Sequence, residues 1–213
     1  MALETDRIPG EVACLNTGAL PATLVSTRGF NCEVWKSGGI IFSNGARHVV
    51  SFVVKRPRFP CDVRRIRVYR REYLRLRTAL GDTVPEALFV ATRVDGKPSV
   101  VVIAEACTPW FDLAHPGNED EVRPLMQRMS RVRTQLSRFT AAARAWEDEG
   151  RVVDLFGHEN LVLDRDFNVR YLDSFGAFFY PDTLHAIAGD DELLASRIDI
   201  SLSRLRYLES LID

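Results

Sequence analysis

The hydrophobic periodicity of this chain changes near residue 105, and that change restricts the folds open to it more than any other feature. Before it, apolar residues come in short runs separated by turn formers. ATLVSTRGFNCEVWKSGGIIFSNGARHVVSFVVKR carries Gly29, Ser37-Gly38-Gly39 and Asn44-Gly45 between β-rich segments. Asn-Gly between two apolar runs is the strongest short-range hairpin signal, and VVSFVVK has the β-branched composition of a buried strand. ALFVATRVDGKPSVVVIAEA then predicts a strand, an Asp-Gly turn and a second strand. Between these, Asp62 is placed to cap a helix that runs to about Leu80, where Gly81 stops it; Val68, Tyr69, Tyr73, Leu76 and Leu80 share one face. After Pro109 the pattern turns helical. One long helix is expected from about Glu119 to Glu149, with Leu125, Met129, Val132, Leu136, Phe139 and Ala143 as its core stripe. A last helix is expected from Asp190 to Leu211, with Leu194, Ile198, Leu205 and Leu208 in line. Strands with one helix, followed mostly by helices, predict an α+β chain in two lobes with a hinge near 105–112. The expected parts are an N-terminal extension (1–20, interrupted by Pro9-Gly10), a sheet lobe (21–107) and a helical lobe (108–213).

Composition bears on partners and compartment. The 213 residues are 46% hydrophobic and 27% charged with a formal net charge of -1, the profile of a globular protein with room for a real core. No apolar run approaches the ~20 residues that span a bilayer, and MALETDRIPGEVACLN lacks the apolar stretch of a secretory signal. No membrane partner is therefore expected. Cys14, Cys32, Cys61 and Cys107 are far apart, without a C-x-x-C pair, and His48, His115, His158 and His185 are scattered. This favours free thiols in a reducing cytosol over a disulfide frame or a zinc site. The expected location is cytoplasmic, or a host cytosol if the chain is a delivered effector. The small net charge hides an asymmetry: from Lys55 to Arg77, one lysine and nine arginines stand against only Asp62 and Glu72. Such a stretch is either a solvated basic face or a docking surface for an acidic protein, a nucleic acid or a phosphorylated ligand. Its few aromatics disfavour single-strand base stacking, and with it a nucleic-acid partner.

The stretch VVDLFGHENLVLDRDFNVRYLDSFG, Val152 to Gly176, carries the chemistry. Asn160 and Asp173 flank a run that reads as two short strands turning near Asp166-Phe167-Asn168, and Asp154 lies just ahead of it. An ordinary core has no use for carboxylates there. A hairpin places an amide oxygen and a carboxylate at neighbouring strand ends, where both can hold a divalent ion against phosphate oxygens.

These residues resemble the protein-kinase-like superfamily in a minimal, atypical bacterial-type form, over roughly residues 25–176. The pattern H-R-D-L-x-x-x-N, a strand pair, then D-F-G is similar to DLFGHEN, LVLDRDFNVRYLD and DSFG, with thirteen positions from Asn160 to Asp173. The resemblance implies a two-lobed kinase-like fold that binds ATP and Mg²⁺ between its lobes. Asp154 would be the catalytic base, and Asn160 and Asp173 the metal ligands. Lys55 ends VVSFVVK as the phosphate-binding lysine ends the third kinase strand, with Glu72 on the next helix as its implied partner. Gly29 and Val34 fall on the phosphate-covering loop, with Thr27 and Cys32 in place of its other glycines. Ala104 falls at the gatekeeper position, and the backbones of Glu105 and Cys107 would face the adenine. The implied activity is transfer of the γ-phosphoryl group to a hydroxyl, on a protein serine or threonine. The alternatives are a pseudokinase or adaptor docking through its arginine-rich helix, a small-molecule phosphotransferase, or transfer of AMP from an inverted nucleotide. The departures are specific. Asp154 to Asn160 is six positions rather than five, which Gly157 can absorb. Val152 and Val153 replace the His and Arg of H-R-D, and Ser174 is inserted after Asp173. Only 37 residues follow Gly176, which implies a truncated helical lobe in which the substrate is held by the basic helix, by Asn118–Glu121 or by the terminal helix.

Overall fold

The computed structural model describes residues 7–26, 32–59, 61–182 and 191–212. The chain is α+β and divides into two compact units: Met1–Arg71 with Pro85–Ala106, and Glu72–Val84 with Cys107–Asp213. Nothing in the sequence indicates that the second half of the arginine-rich helix belongs with the later residues.

The first unit is a five-stranded antiparallel sheet. Its strands are β1 (Ala22–Ser26), β2 (Cys32–Ser43), β3 (Ala46–Pro57), β4 (Ala87–Val94) and β5 (Lys97–Glu105), in the order β1-β2-β3-β5-β4. Both expected hairpins form. Asn44 and Gly45 turn β2 into β3 with φ of 51° and 75°, and Asp95 and Gly96 turn β4 into β5 with φ of 49° and 74°. Positive φ at both central residues matches the right-handed twist of the flanking strands, which is why Asn-Gly and Asp-Gly pairs mark such turns. Side chains alternate across the sheet. Trp35, Val54 and Val101 on one face pack with Ile8, Val12 and Ala22. The segment read as an extension is thus, over its described residues, part of this core. Glu11 exchanges backbone hydrogen bonds with the β4–β5 turn: its N–H donates to the Asp95 carboxylate and its carbonyl accepts from the Asp95 N–H, each at 2.8 Å.

Helix α1 (Val63–Leu80) starts and stops where the sequence indicates. The Asp62 carboxylate accepts the Arg65 N–H at 2.9 Å, and Gly81 follows the last turn with φ of 59°. Its buried stripe needs one correction. Ile66, Leu76 and Leu80 are buried, whereas Val68 is 37% exposed. At about 100° per residue, those three centre on a direction roughly 120° from Val68.

The second unit holds α2 (Glu119–Arg128), α3 (Ser130–Asp148), α4 (Asp191–Ser210) and short strands: β6 (Pro109–Asp112), β7 (Val152–Val153), β8 (Leu161–Asp164), β9 (Val169–Tyr171) and β10 (Phe178–Phe179). β6-β8-β9 form one small sheet and β10-β7 another. The single long helix expected over 119–149 is two, broken at Met129, whose ψ is 86°. Val122 and Met126 are buried in α2, and Val132, Leu136, Phe139, Ala143 and Trp146 in α3. Met126 to Val132 is six positions, which would set these two residues about 120° apart on an unbroken helix. The break turns both stripes toward one core, shared with Leu161, Leu163, Tyr171, Leu205 and Leu208. The last helix is as expected, and its Ile198, Leu205 and Leu208 are buried; the expected start at Asp190 lies outside the described residues. No helix among the described residues is long and apolar enough to cross a membrane.

Candidate active site

The β8–β9 hairpin builds the site in the second unit. Leu161 pairs with Tyr171, and one step further the Leu172 N–H donates to the Asn160 carbonyl at 2.7 Å. Asn160 and Asp173 therefore stand at the same end of the ribbon, and the turn at the other end carries Phe167 at φ 58°. Asp154 follows β7 and donates its N–H to the Ala177 carbonyl at 2.9 Å, beside the β7–β10 pair. The three residues named from the sequence are thus brought together, and two contacts fix them. The Asn160 side-chain amide donates to the Asp154 carbonyl at 3.1 Å, and the Tyr171 hydroxyl donates to the same carbonyl at 3.1 Å.

Asp154 is 7% exposed. Its Oδ1 accepts the N–H groups of Phe156 and Gly157 at 2.8 and 3.1 Å, an Asx turn that fixes the carboxyl plane. Burial, and next the charge of Asp173, push its pKa up to about 7; the Gly157 and Phe156 N–H groups and the Arg197 guanidinium pull the other way without offsetting them. The Tyr171 phenol, fully buried among Asp173, Asp154 and Glu72, is held well above its ordinary value, first by burial and then by those charges. Asp173 Oδ1 accepts the N–H groups of Ser174 and Phe175 at 2.7 and 3.1 Å. The extra residue of DSFG is absorbed by placing Phe175 in the interior and turning the chain at Gly176, φ 77°.

The donor set fits Mg²⁺. Donation from the Asn160 amide nitrogen to Asp154 orients that amide, so its Oδ1 faces away from the Asp154 carbonyl. Among the described residues no group of three or more His, Cys, Asp or Glu is arranged as a metal cage. An amide oxygen and a carboxylate suit a hard ion that keeps waters and shares itself with phosphates, which is how Mg²⁺ is bound in phosphoryl-transfer sites. Gly157 sits tightly under Asn160: a Cβ there would lie 2.5 Å from the Asn160 amide nitrogen and 2.7 Å from its oxygen. Any larger residue at 157 would have to displace the Asn160 side chain.

Glu72, in the same unit, is 3% exposed and accepts the Tyr180 hydroxyl at 2.8 Å. Burial and this hydrogen bond to Glu72 lift the Tyr180 phenol to about 12. Lys55 lies in the first unit, 8% exposed, on the sheet face opposite Trp35 and Val54. Val34 is its cross-strand partner in β2 and Val102 its partner in β5. Ala104 is buried beside Val53, and the Glu105 N–H is committed to the Glu86 carbonyl at 2.9 Å. Cys107 is half-buried and in no disulfide, and Gly29 and Thr27 lie outside the described residues.

Helix α4 contributes residues that sequence reasoning missed. The Arg204 guanidinium donates to the carbonyls of Leu155 and Phe156 at 2.5 and 3.1 Å. The Leu155 N–H donates to the Ser201 hydroxyl at 3.1 Å, and Arg197 lies 5.3 Å over the Phe156 ring. From β6, the Asp112 carboxylate accepts the Glu159 N–H at 3.1 Å, supporting the loop at its other end, where Glu159 has φ 59°. No local pattern marks these residues, because their partners are distant in the sequence: Leu155 and Ser201 stand 46 positions apart, and Asp112 and Glu159 47. No protein-family model matches the chain, and no curated protein matches it.

Proposed function

We propose that the protein is an ATP- and Mg²⁺-dependent phosphotransferase of the protein-kinase-like kind that moves the γ-phosphoryl group to a hydroxyl of a protein serine or threonine. The observation that carries this is the convergence of Asp154, Asn160 and Asp173 on one end of a β-ribbon, in the spacing set out above. Support also comes from the order of elements: a buried lysine near the end of the third strand, a helix bearing a buried glutamate, and then two more strands.

The chemistry a bound Mg²⁺ would supply is to offset the charge that develops on the transferred group. Asn160 Oδ1 and the Asp173 carboxylate would hold the ion, and the resemblance makes Lys55 the residue that grips the nucleotide phosphates. Asp154, with Oδ1 engaged by two backbone N–H groups, receives the proton of the acceptor hydroxyl at Oδ2 as that oxygen bonds to the γ-phosphorus and ADP leaves. Engagement of Oδ1 by two N–H groups keeps the carboxyl plane fixed while Oδ2 takes the proton. The test is transfer of γ-³²P from Mg-ATP to protein substrates. Asp173→Ala is expected to abolish turnover while the far-ultraviolet circular dichroism is unchanged. Turnover that persists in the folded variant overturns the metal assignment. Mg-ATP binding by thermal shift without any transfer, to proteins or small alcohols, replaces the enzyme with a nucleotide-binding adaptor.

A further inference from the structure

The arginines between Lys55 and Arg77 do not form one class. Arg56 is paired with Glu33 at 2.7 Å, and Arg65 stacks over the Phe59 ring at 5.5 Å. Arg77 donates to the Gly81 and Val84 carbonyls and lies 3.4 Å from Asp82. These serve the fold. Arg64, Arg67, Arg70 and Arg71 are exposed, and no guanidinium of the four has a hydrogen bond, an ion pair or a ring contact among the described residues. Arg64, Arg67 and Arg71 fall at i, i+3 and i+7, one face of α1, and Arg70 borders it. The 37% exposed Val68 adjoins them, while Ile66 is buried on the other side.

This face runs against the electrostatics of its own helix. Arginines three and four apart repel one another. Arg64 and Arg65 occupy a first turn that contains no acid, where the helix dipole favours negative charge. The one acidic residue of α1, Glu72, is buried. Four guanidinium groups with no partner among the described residues are complementary to an external anion, which would relieve their mutual repulsion, while the Asp62 cap already meets the helix dipole.

We infer that the exposed face of α1 formed by Arg64, Arg67, Arg70 and Arg71 docks an acidic polypeptide segment. Guanidinium forks match carboxylates in bidentate geometry, and Val68 offers an apolar seat for a side chain placed between the acids. The face covers roughly 10 Å of helix, from about 1.5 Å per residue. That length suits a few carboxylates of a peptide and is too short for the many phosphate contacts on which nucleic-acid affinity rests. Tyr69 and Tyr73, the aromatic residues of α1, are both partly buried, so the helix presents no fully exposed ring on which bases could stack. The inference is independent of phosphotransfer, since binding here needs neither nucleotide nor metal.

The test uses the full chain and three fluorescein-labelled probes followed by anisotropy: a 16-residue Glu/Asp peptide with leucine at every fourth position, its Gln/Asn counterpart, and an oligo-dT of equal charge. The acidic peptide is expected to bind with micromolar affinity, the neutral one not at all, and the oligonucleotide more weakly than the acidic peptide. Combined Arg64→Ala, Arg67→Ala and Arg71→Ala should weaken peptide binding by ~10-fold or more, and raising salt should weaken it in the wild type. Lys97→Ala, in the β4–β5 hairpin, should leave binding unchanged. Combined Arg64→Lys, Arg67→Lys and Arg71→Lys guards against misfolding: it keeps the charge, retains salt-sensitive binding and loses part of the affinity. Equal peptide binding by wild type and triple alanine variant, tighter binding of the oligonucleotide, or no binding of the acidic peptide at low salt each overturns the proposal.

Discussion

Burial and the neighbouring Asp173 both oppose the charge of Asp154, and in the metal-free protein that opposition costs stability as pH rises. A carboxyl whose folded pKa is raised contributes full stability below its unfolded value, near 3.8, and loses it as pH climbs through about 7. Asp154→Asn removes that loss while its side-chain oxygen still accepts from Phe156 and Gly157. The variant should melt above the wild type at pH 8, by ~1–3 kcal/mol of stability, with the difference fading toward pH 4, while phosphoryl transfer is lost. Equal melting differences at the two pH values contradict this account of Asp154. Gly157 bears on Asn160 in the same way. Gly157→Ala forces the Asn160 side chain to move, so ~10-fold weaker Mg²⁺ activation is expected with the melting temperature within a few degrees; unchanged activation argues against Asn160 as a ligand. Asp154, Asn160 and Asp173 were legible as sequence because a short hairpin fixes how far apart its two ends can be. Tyr171, Tyr180 and Arg197 were not, since each acts on acids that no local rule connects to it.

At the scale of elements, local chemistry was readable and phase was not. The two hairpin turns and both ends of α1 follow from Asn44-Gly45, Asp95-Gly96, Asp62 and Gly81, residues that act within a few positions of themselves. The break at Met129 and the exposure of Val68 depend on which face meets a core built from distant segments. Helix α4 shows what such distant packing does for the site. Arg204 and Ser201 bind the backbone of Leu155 and Phe156, next to Asp154. Arg204→Met should therefore lower kcat by ~10-fold with little change in KM for ATP, because a loop that positions the base loosens while the nucleotide contacts stay. A rise in KM with kcat unchanged would place Arg204 in nucleotide binding instead.

At the scale of the whole molecule, the α+β class was legible in the switch of periodicity near residue 105. The packing of Ile8 and Val12 into the first unit and the assignment of Glu72–Val84 to the second were not. Function as proposed rests on Asp154, Asn160 and Asp173, all within the second unit. The central claim concerns the last two, and a crystal of the full chain grown with Mn²⁺ and a non-hydrolysable ATP analogue tests it most directly. The expected result is an anomalous peak bonded to Asn160 Oδ1 and an Asp173 carboxylate oxygen at about 2.1–2.2 Å, with nucleotide phosphates on the same ion. An ion bound elsewhere, or nucleotide bound with Asn160 and Asp173 touching neither metal nor phosphate, would contradict it.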